Sequence, residues 1–187
     1  MSKIIEVLKK TAPLSEEDCD KFLSIISTVQ LNKGDYWIEA GKKNNNVAFL
    51  EAGYLRKYYV QDGNEITDSF YFENEFCTDL PSIIGNTLPL ASIIAMQKTT
   101  ITVFSYKDFN ALCKNSPSLE HLHRVMVEFT FLGFYNRTVS FILQSPKERY
   151  DELFNTNPNI LQNAAQYHIA SYLGITPQHL SRLRAKK

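Results

Sequence analysis

Cysteine is scarce in this sequence, which has only Cys19, Cys77 and Cys113. The three are far apart, odd in number and without any CxxC spacing, which argues against a disulfide framework or a zinc–thiolate site. They are also too few for an ordinary iron–sulfur cluster. We therefore expect no metal site and a reducing compartment.

Long apolar runs are missing too. No stretch approaches the ~18 apolar residues of a membrane-spanning helix, and Met1–Lys10 is too short and too charged for a secretory leader. Neither sign of charge is in excess, because 20 basic residues balance 20 acidic ones. We expect a cytoplasmic protein with no membrane partner, and any nucleic-acid face must be basic locally.

Catalytic patterns do not stand out. There is no recognisable Ser/His/Asp set, Walker loop or pair of suitably spaced carboxylates, which indicates that the protein is not an enzyme. The segment 30–109 contains no histidine, and this argues against a metal-dependent enzyme built on a β-roll. No cofactor is expected with certainty, although an unknown small-molecule effector stays open.

Glycine is concentrated in one segment of the chain, where short aromatic or β-branched runs such as Tyr58–Val60 separate the glycines. Strands of this length, spaced about ten residues apart, predict a small barrel or roll. Asp62 and Gly63 form a typical hairpin-turn pair. Four of the protein's seven glycines fall within this segment: Gly34, Gly41, Gly53 and Gly63.

A long helix is predicted after the roll. Ser116 can cap it and Pro117 fits its first turn, and no further proline occurs before Pro146. The helix is apolar nearly all round, so it must be buried on more than one side. A partner's identical helix would explain this, as would a central position in a monomer. The residues predicted for a dimer interface are Leu122, Met126, Phe129, Gly133, Asn136 and Ser140.

The C-terminal segment begins with a further helix start, in which Ser145 and Glu148 have the spacing of a capping box, and Pro158 is predicted to end that helix. Beyond it, the spacing of Ala170, Gly174 and Thr176 predicts a helix-turn-helix. Ala170 lets two helices cross closely, Gly174 tolerates the left-handed turn, and Thr176 caps the second helix.

The outer face of that second helix carries side chains suited to DNA. Arg can bond guanine and Gln can bond adenine, each good pair giving ~1–3 kcal/mol of discrimination. No Asp or Glu occurs from Leu153 to Lys187, whereas Lys186 and Lys187 add positive charge. The alternative is a structural two-helix cap with a solvated basic end. The predicted DNA-binding residues are Thr176, Gln178, His179, Ser181, Arg182 and Arg184.

Taken together, these features resemble the catabolite activator/FNR (Crp/Fnr) family of bacterial transcription regulators over nearly the whole chain. The resemblance implies an α+β fold: a jelly-roll-like β-roll (double-stranded β-helix) sensor domain over 1–115, a dimerisation helix over 116–143, and an all-α helix-turn-helix domain over 144–187. In the family's pattern, Gln178 and Arg182 occupy base-reading positions.

Two departures from the family's pattern matter. Its cyclic-nucleotide site has a Phe-Gly-Glu turn and a later Arg-Ser pair, where this chain reads Phe76–Thr78 and Pro89-Leu90. Without that arginine nothing obvious neutralises a phosphate, so we expect no cyclic AMP binding in the usual mode. The sequence given ends at Lys187, soon after the predicted helix-turn-helix, so we expect the family's β-hairpin wing to be missing. The candidate effector-pocket residues are Phe76, Cys77, Thr78, Leu90 and Ala91.

The function implied is a sequence-specific regulator controlled by a small-molecule or redox signal in the roll. Its expected partners are a palindromic double-stranded DNA site and a second copy of the chain, with RNA polymerase as a further candidate. The alternative is a sensor or interaction module whose helix-turn-helix is vestigial and binds no DNA.

Overall fold

The computed structural model describes residues 2–185. The helices are α1 (Lys3–Thr11), α2 (Glu16–Leu23), α3 (Leu80–Gly85), α4 (Tyr106–Cys113), α5 (Pro117–Leu143), α6 (Pro146–Thr156), α7 (Pro158–Asn163), α8 (Gln166–Leu173) and α9 (Pro177–Arg184). The strands are β1 (Ile26–Leu31), β2 (Tyr36–Ile38), β3 (Asn46–Ala52), β4 (Leu55–Gln61), β5 (Asn64–Tyr71), β6 (Phe76–Cys77), β7 (Ser92–Ala95) and β8 (Thr99–Ser105).

The strands form two four-stranded sheets, ordered β1-β8-β3-β6 and β2-β7-β4-β5. Alternation along β3 directs Ala48 and Leu50 into a core that also holds Leu55 and Ile93 of the second sheet. Side chains of both sheets therefore share one interior, as the roll predicted from the sequence requires. The mixed α+β fold is confirmed.

The first sheet is buried on its other face as well. Val47 and Phe49 alternate with the inward residues of β3 and pack in a cluster with Phe104 of β8, Phe22 of α2 and other side chains of the helices. The Phe22 ring meets Phe104 edge-on with centroids 5.1 Å apart. Because β3 is buried on both faces, its sequence is a continuous apolar run and does not alternate between apolar and polar residues.

Local signals in the sequence correspond to the observed turns and caps. Asp62 (φ 51°) and Gly63 (φ 77°) both adopt the left-handed conformation that a tight hairpin demands. Both reciprocal hydrogen bonds of the predicted capping box between Ser145 and Glu148 are present. Pro158, interpreted from the sequence only as the end of α6, also occupies the first turn of the short helix α7.

Contacts divide the chain into two compact units. The first unit comprises the described residues up to Lys57 together with 70–129, and the second comprises 58–69 together with the described residues from Thr130 onward. The second unit thus contains the tip of the β4–β5 hairpin (58–69), the C-terminal half of α5 and all the helices after it. Lys186 and Lys187, part of the predicted basic end, lie outside the described residues.

Candidate nucleic-acid interface and sensor core

Helices α8 and α9 form the helix-turn-helix that the sequence predicts. Gly174 ends α8 in the left-handed conformation (φ 67°), and the Ile175 amide donates to the Ala170 carbonyl at 3.0 Å. The Thr176 hydroxyl caps α9 by accepting the His179 amide hydrogen bond at 3.2 Å. Ala170 and Leu180 are fully buried, so the two helices cross closely over an apolar contact and behave as one body.

The predicted DNA-binding residues fall into three groups in α9. Gln178, Ser181 and Arg182 are exposed and available to a ligand. Thr176 is exposed, but its hydroxyl is used as the helix cap. His179 and Arg184 are half-buried. Nη2 of Arg184 lies 3.5 Å from the Leu161 carbonyl, so this arginine contacts α7 and is not fully free to reach DNA.

Two arginines that the sequence analysis did not single out bind the C-terminal end of α8. Nη2 of Arg137 donates to the Tyr172 carbonyl at 3.0 Å. Arg149 donates to the Leu173 carbonyl from Nε at 3.1 Å and from Nη2 at 3.0 Å. Cations are favourable at a helix C-terminus, where the last carbonyls of a helix are available as acceptors.

Phe141 lies beside both guanidinium groups. Its ring centroid is 5.0 Å from Cζ of Arg137 and 4.6 Å from Cζ of Arg149. Arg137 also lies over the ring of Tyr172, at 4.1 Å. Cation–π contacts of this kind attract the guanidinium group to the ring and limit its rotation. The end of α8 is therefore fixed to α5 and α6 by a cluster of cations and rings.

The free edge of β5 also contacts α8. The Ser171 hydroxyl accepts a hydrogen bond from the Thr67 amide at 2.9 Å and donates to the Glu65 carbonyl at 3.3 Å. Nε of Arg137 lies 3.5 Å from Oδ1 of Asp68 in the same strand. These contacts join residues between 69 and 106 positions apart, and no local sequence pattern predicts them.

The candidate effector-pocket residues have different environments. Cys77 and Ala91 are almost completely buried, whereas Leu90 is 81% exposed. Phe76 pairs across the strands with Phe49, and the Thr78 hydroxyl donates to the Asn46 carbonyl at 2.9 Å. Cys77 packs among apolar side chains of the roll interior, so little of its surface is left to line a pocket.

A buried ion pair lies near Cys77 in the fold. Nζ of Lys57 is 2.9 Å from Oδ1 of Asp79, with side chains only 1% and 9% exposed. Each charge satisfies the other in a region that excludes water. A single anionic ligand could therefore use Lys57 only by displacing Asp79.

The cysteines are poorly suited to redox chemistry. Burial raises the pKa of the Cys77 thiol well above its usual range and raises the pKa of Cys113 to about 11. Burial also raises the pKa of Cys19. Because the thiolate is the reactive form, all three are expected to react slowly with oxidants.

The residues of α5 predicted for the dimer interface differ in how exposed their side chains are. Leu122 is fully buried in the helical core of its own unit, and Met126 packs partly against that core. We therefore remove Leu122 from the interface, because it has no surface left for a partner. Phe129, Gly133 and Asn136 are exposed and Ser140 is half-buried. Further exposed apolar residues on this helix are Phe131, Leu132, Tyr135, Ile142 and Leu143.

Among the described residues, no cluster of three or more His, Cys, Asp or Glu side chains could hold a metal ion. Within residues 2–185, no helix combines the length and the apolar content needed to cross a lipid bilayer.

Residues 28–116 match the family described as the cyclic nucleotide-binding domain. No protein of curated function matches the sequence. Solved structures with the same fold include the catabolite activator protein of Thermus thermophilus, which is 16% identical with a TM-score of 0.61, over 96% of this chain and 85% of that one. FixK2 of Bradyrhizobium japonicum is 13% identical with a TM-score of 0.72, over 87% of this chain and 84% of that one.

A regulator assigned to the Crp/Fnr family from Eubacterium rectale is similar too, at 16% identity and a TM-score of 0.69, over 93% of this chain and 83% of that one. The resemblance drawn from the sequence agrees with these comparisons, since the roll segment matches a cyclic nucleotide-binding domain and the fold is shared with a regulator assigned to this family.

Proposed function

We propose that this protein is a sequence-specific DNA-binding transcription regulator that reads DNA with α9. The observation that carries the proposal is the outward face of a capped helix-turn-helix on which Gln178, Ser181 and Arg182 are exposed. The chain from Leu153 onward contains no carboxylate side chain, so nothing on this segment repels a phosphate backbone.

Each exposed side chain has a plausible partner on DNA. Arg182 has the donors for a bidentate contact with guanine, and Gln178 can both donate to and accept from adenine. The Ser181 hydroxyl is suited to a phosphate oxygen, as is the N-terminal end of α9. Gln178 and Arg182 are expected to determine which bases are preferred. Ser181 and the N-terminal end of α9 are expected to position the protein on the phosphate backbone.

The exposed apolar face of α5 supports a homodimer. Phe129 is 67% exposed, and Leu132, one turn further along the same side of the helix, is 48% exposed. Exposed apolar surface of this kind marks protein interfaces. A second copy presenting the same face would bury these side chains around a two-fold axis. Two recognition helices would then lie about one DNA turn apart and read a palindromic site.

We propose a small molecule other than cyclic AMP as the signal. The roll matches a cyclic nucleotide-binding domain, but Pro89-Leu90 stands where the family's phosphate-binding pair is expected, and the buried Lys57 is already paired with Asp79. The buried cysteines make a redox signal through their thiols the weaker alternative. Calorimetry with cyclic AMP is expected to show no binding heat, and saturable micromolar binding would contradict this assignment.

The proposal is tested by selecting genome fragments with the purified full chain at two salt concentrations. A recovered palindrome whose affinity falls steeply with salt is the expected result, because phosphate contacts release counterions. No enrichment at either salt would favour the alternative, a sensor or interaction module without DNA binding. RNA polymerase remains a predicted partner, to be examined once a target promoter is known.

A further inference from the structure

The contact between α8 and the hairpin tip has unusual geometry. Ser171 is on the first helix of the helix-turn-helix, yet its single hydroxyl satisfies an amide and a carbonyl on the free edge of β5, at Thr67 and Glu65. On an edge strand, backbone groups two residues apart point outward on the same side. The hydroxyl therefore occupies the place that a neighbouring strand would take.

Arg137 strengthens the same contact from α5. Its guanidinium lies 3.5 Å from the Asp68 carboxylate, 3.4 Å from the Thr67 carbonyl and 3.0 Å from the Tyr172 carbonyl. One planar group thus touches the hairpin and the end of α8 at once, while the rings of Tyr172 and Phe141 restrict its rotation. A lysine has neither the forked donors nor the planar face to do this.

We propose that Ser171 and Arg137 are positioning residues that set the angle at which the recognition helix is presented. They act through α8, because α8 and α9 cross on the buried Ala170 and Leu180 and move as one body. Neither residue lies on the exposed face of α9. This inference rests on the proposed function, since an angle matters only if α9 reads DNA.

A specific consequence follows for a dimer on DNA. The bases preferred within each half-site depend on the outward side chains of α9, whereas the preferred distance between half-sites depends on how the two recognition helices are held. Variants that weaken the Ser171 and Arg137 contacts are therefore expected to change the preferred distance between half-sites. They should leave the preferred bases within each half-site unchanged.

The experiment is a selection on a DNA library with two fixed half-sites and a spacer of varied length, using full-length wild type, Ser171→Ala and Arg137→Gln. The wild type is expected to enrich one spacing sharply. Each variant should lower the preference for that spacing over its neighbours by roughly tenfold, the factor that one hydrogen bond of about 1.4 kcal/mol represents, with the same half-site bases. Arg137→Lys should behave like Arg137→Gln.

Two controls separate positioning from other roles. Arg182→Ala should change base preference without changing spacing. Leu153→Ala removes a buried side chain of α6 and should weaken binding at all spacings equally, as any merely structural defect would. Hydrogen exchange at the Thr67 amide should accelerate in Ser171→Ala and not in Arg182→Ala.

The outcomes distinguish the two proposals. Enrichment by the wild type with an unchanged spacing profile in Ser171→Ala and Arg137→Gln would overturn the positioning roles alone. Failure of the wild type to enrich any half-site pair would overturn the proposed function, and the positioning roles with it.

Discussion

Phe141 lies so close to Gly174 that a methyl group at Gly174 would meet Cε1 of the ring at 2.7 Å. Gly174 also has a left-handed backbone (φ 67°). The glycine of the turn is therefore fixed by two independent requirements, the backbone conformation and the space taken by a ring from the long helix. The ring cannot move away freely, because Arg137 and Arg149 lie against it.

These two requirements predict an unusually damaging substitution at Gly174. Gly41 has a similar backbone (φ 78°) with nothing near the position of a Cβ, so Gly41→Ala is expected to cost about 1 kcal/mol from backbone strain alone. Gly174→Ala should cost a further 1–3 kcal/mol or so from overpacking. Urea unfolding followed by circular dichroism measures the free energy of unfolding of both variants. Equal losses of stability in Gly41→Ala and Gly174→Ala would show that the Phe141 ring moves aside without cost.

Arg182→Ala tests the assignment of base reading. We expect it to lose about 1–3 kcal/mol of discrimination between specific and random DNA. The dimer and the fold should stay intact, because Arg182 is exposed and its hydrogen bond to the Gln178 carbonyl is a weak one of 3.4 Å. Binding to both DNAs is measured by fluorescence anisotropy. Lys147→Ala, on an exposed residue of α6, serves as a charge-matched control. Unchanged discrimination in Arg182→Ala would contradict its role.

Phe129→Glu tests the proposed dimer surface of α5. Placing a charge on a face that a second copy covers should raise the dimer dissociation constant by roughly 30-fold or more, the effect of losing about 2 kcal/mol at an aromatic anchor. Sedimentation velocity over a concentration series measures it. Phe154→Glu changes an exposed aromatic residue on α6 and should leave the dimer intact. A Phe129→Glu protein that stays fully dimeric would place the interface elsewhere.

The buried cysteines predict slow thiol chemistry in the folded protein. With a pKa of about 11, Cys113 has about 100-fold less thiolate at pH 8 than a thiol of pKa 9. Ellman's reagent should therefore modify the native protein slowly and all three cysteines quickly in urea. Peroxide should leave DNA binding unchanged. A thiol that reacts as fast in the native protein as in the unfolded protein would instead support a redox signal through that cysteine.

Acid should destabilise the first unit through Asp18. The Ser116 hydroxyl donates to this buried carboxylate and holds its pKa below 3.8. A carboxyl whose pKa is depressed by folding contributes stability above its unfolded pKa, and that stability is lost as the pH falls through the lower folded pKa. We expect the free energy of unfolding to decline below about pH 4.

Ser116→Ala checks this assignment. It should cost about 1.5–3 kcal/mol near neutral pH, as for hydrogen bonds to charged groups, and should reduce the loss of stability in acid. Ser24→Ala removes a serine hydroxyl from an exposed position. It should neither cause this loss of stability near neutral pH nor reduce the loss of stability in acid. Parallel acid profiles for the wild type and Ser116→Ala would show that another group is responsible.

Structural features that depend on a few neighbouring residues could be predicted from the sequence. The capping box at Ser145, the turn at Gly174 and the cap at Thr176 all depend on near neighbours, so their spacing alone was informative. The roll followed from glycine spacing and short apolar runs. Helix α7 was missed because Pro158 was interpreted as a stop, although proline also fits the first turn of a helix.

Contacts between distant segments were not predicted. Leu122 fits a heptad stripe as well as any interface residue, and only burial within its own unit reveals which surface it packs on. Arg137 and Arg149 looked like ordinary charges of a helix surface, and no pattern near Ser171 pointed to Thr67. Such pairs are fixed by tertiary packing, which a single sequence does not display.

The hydroxyl of Ser171 has one more consequence, for solubility. Edge strands with unpaired backbone groups recruit strands of other molecules and start aggregation. By occupying the Thr67 amide and the Glu65 carbonyl, Ser171 shields part of the edge of β5 from strand addition. Ser171→Ala should therefore accumulate more readily in inclusion bodies, even where its folded form is nearly as stable as the wild type.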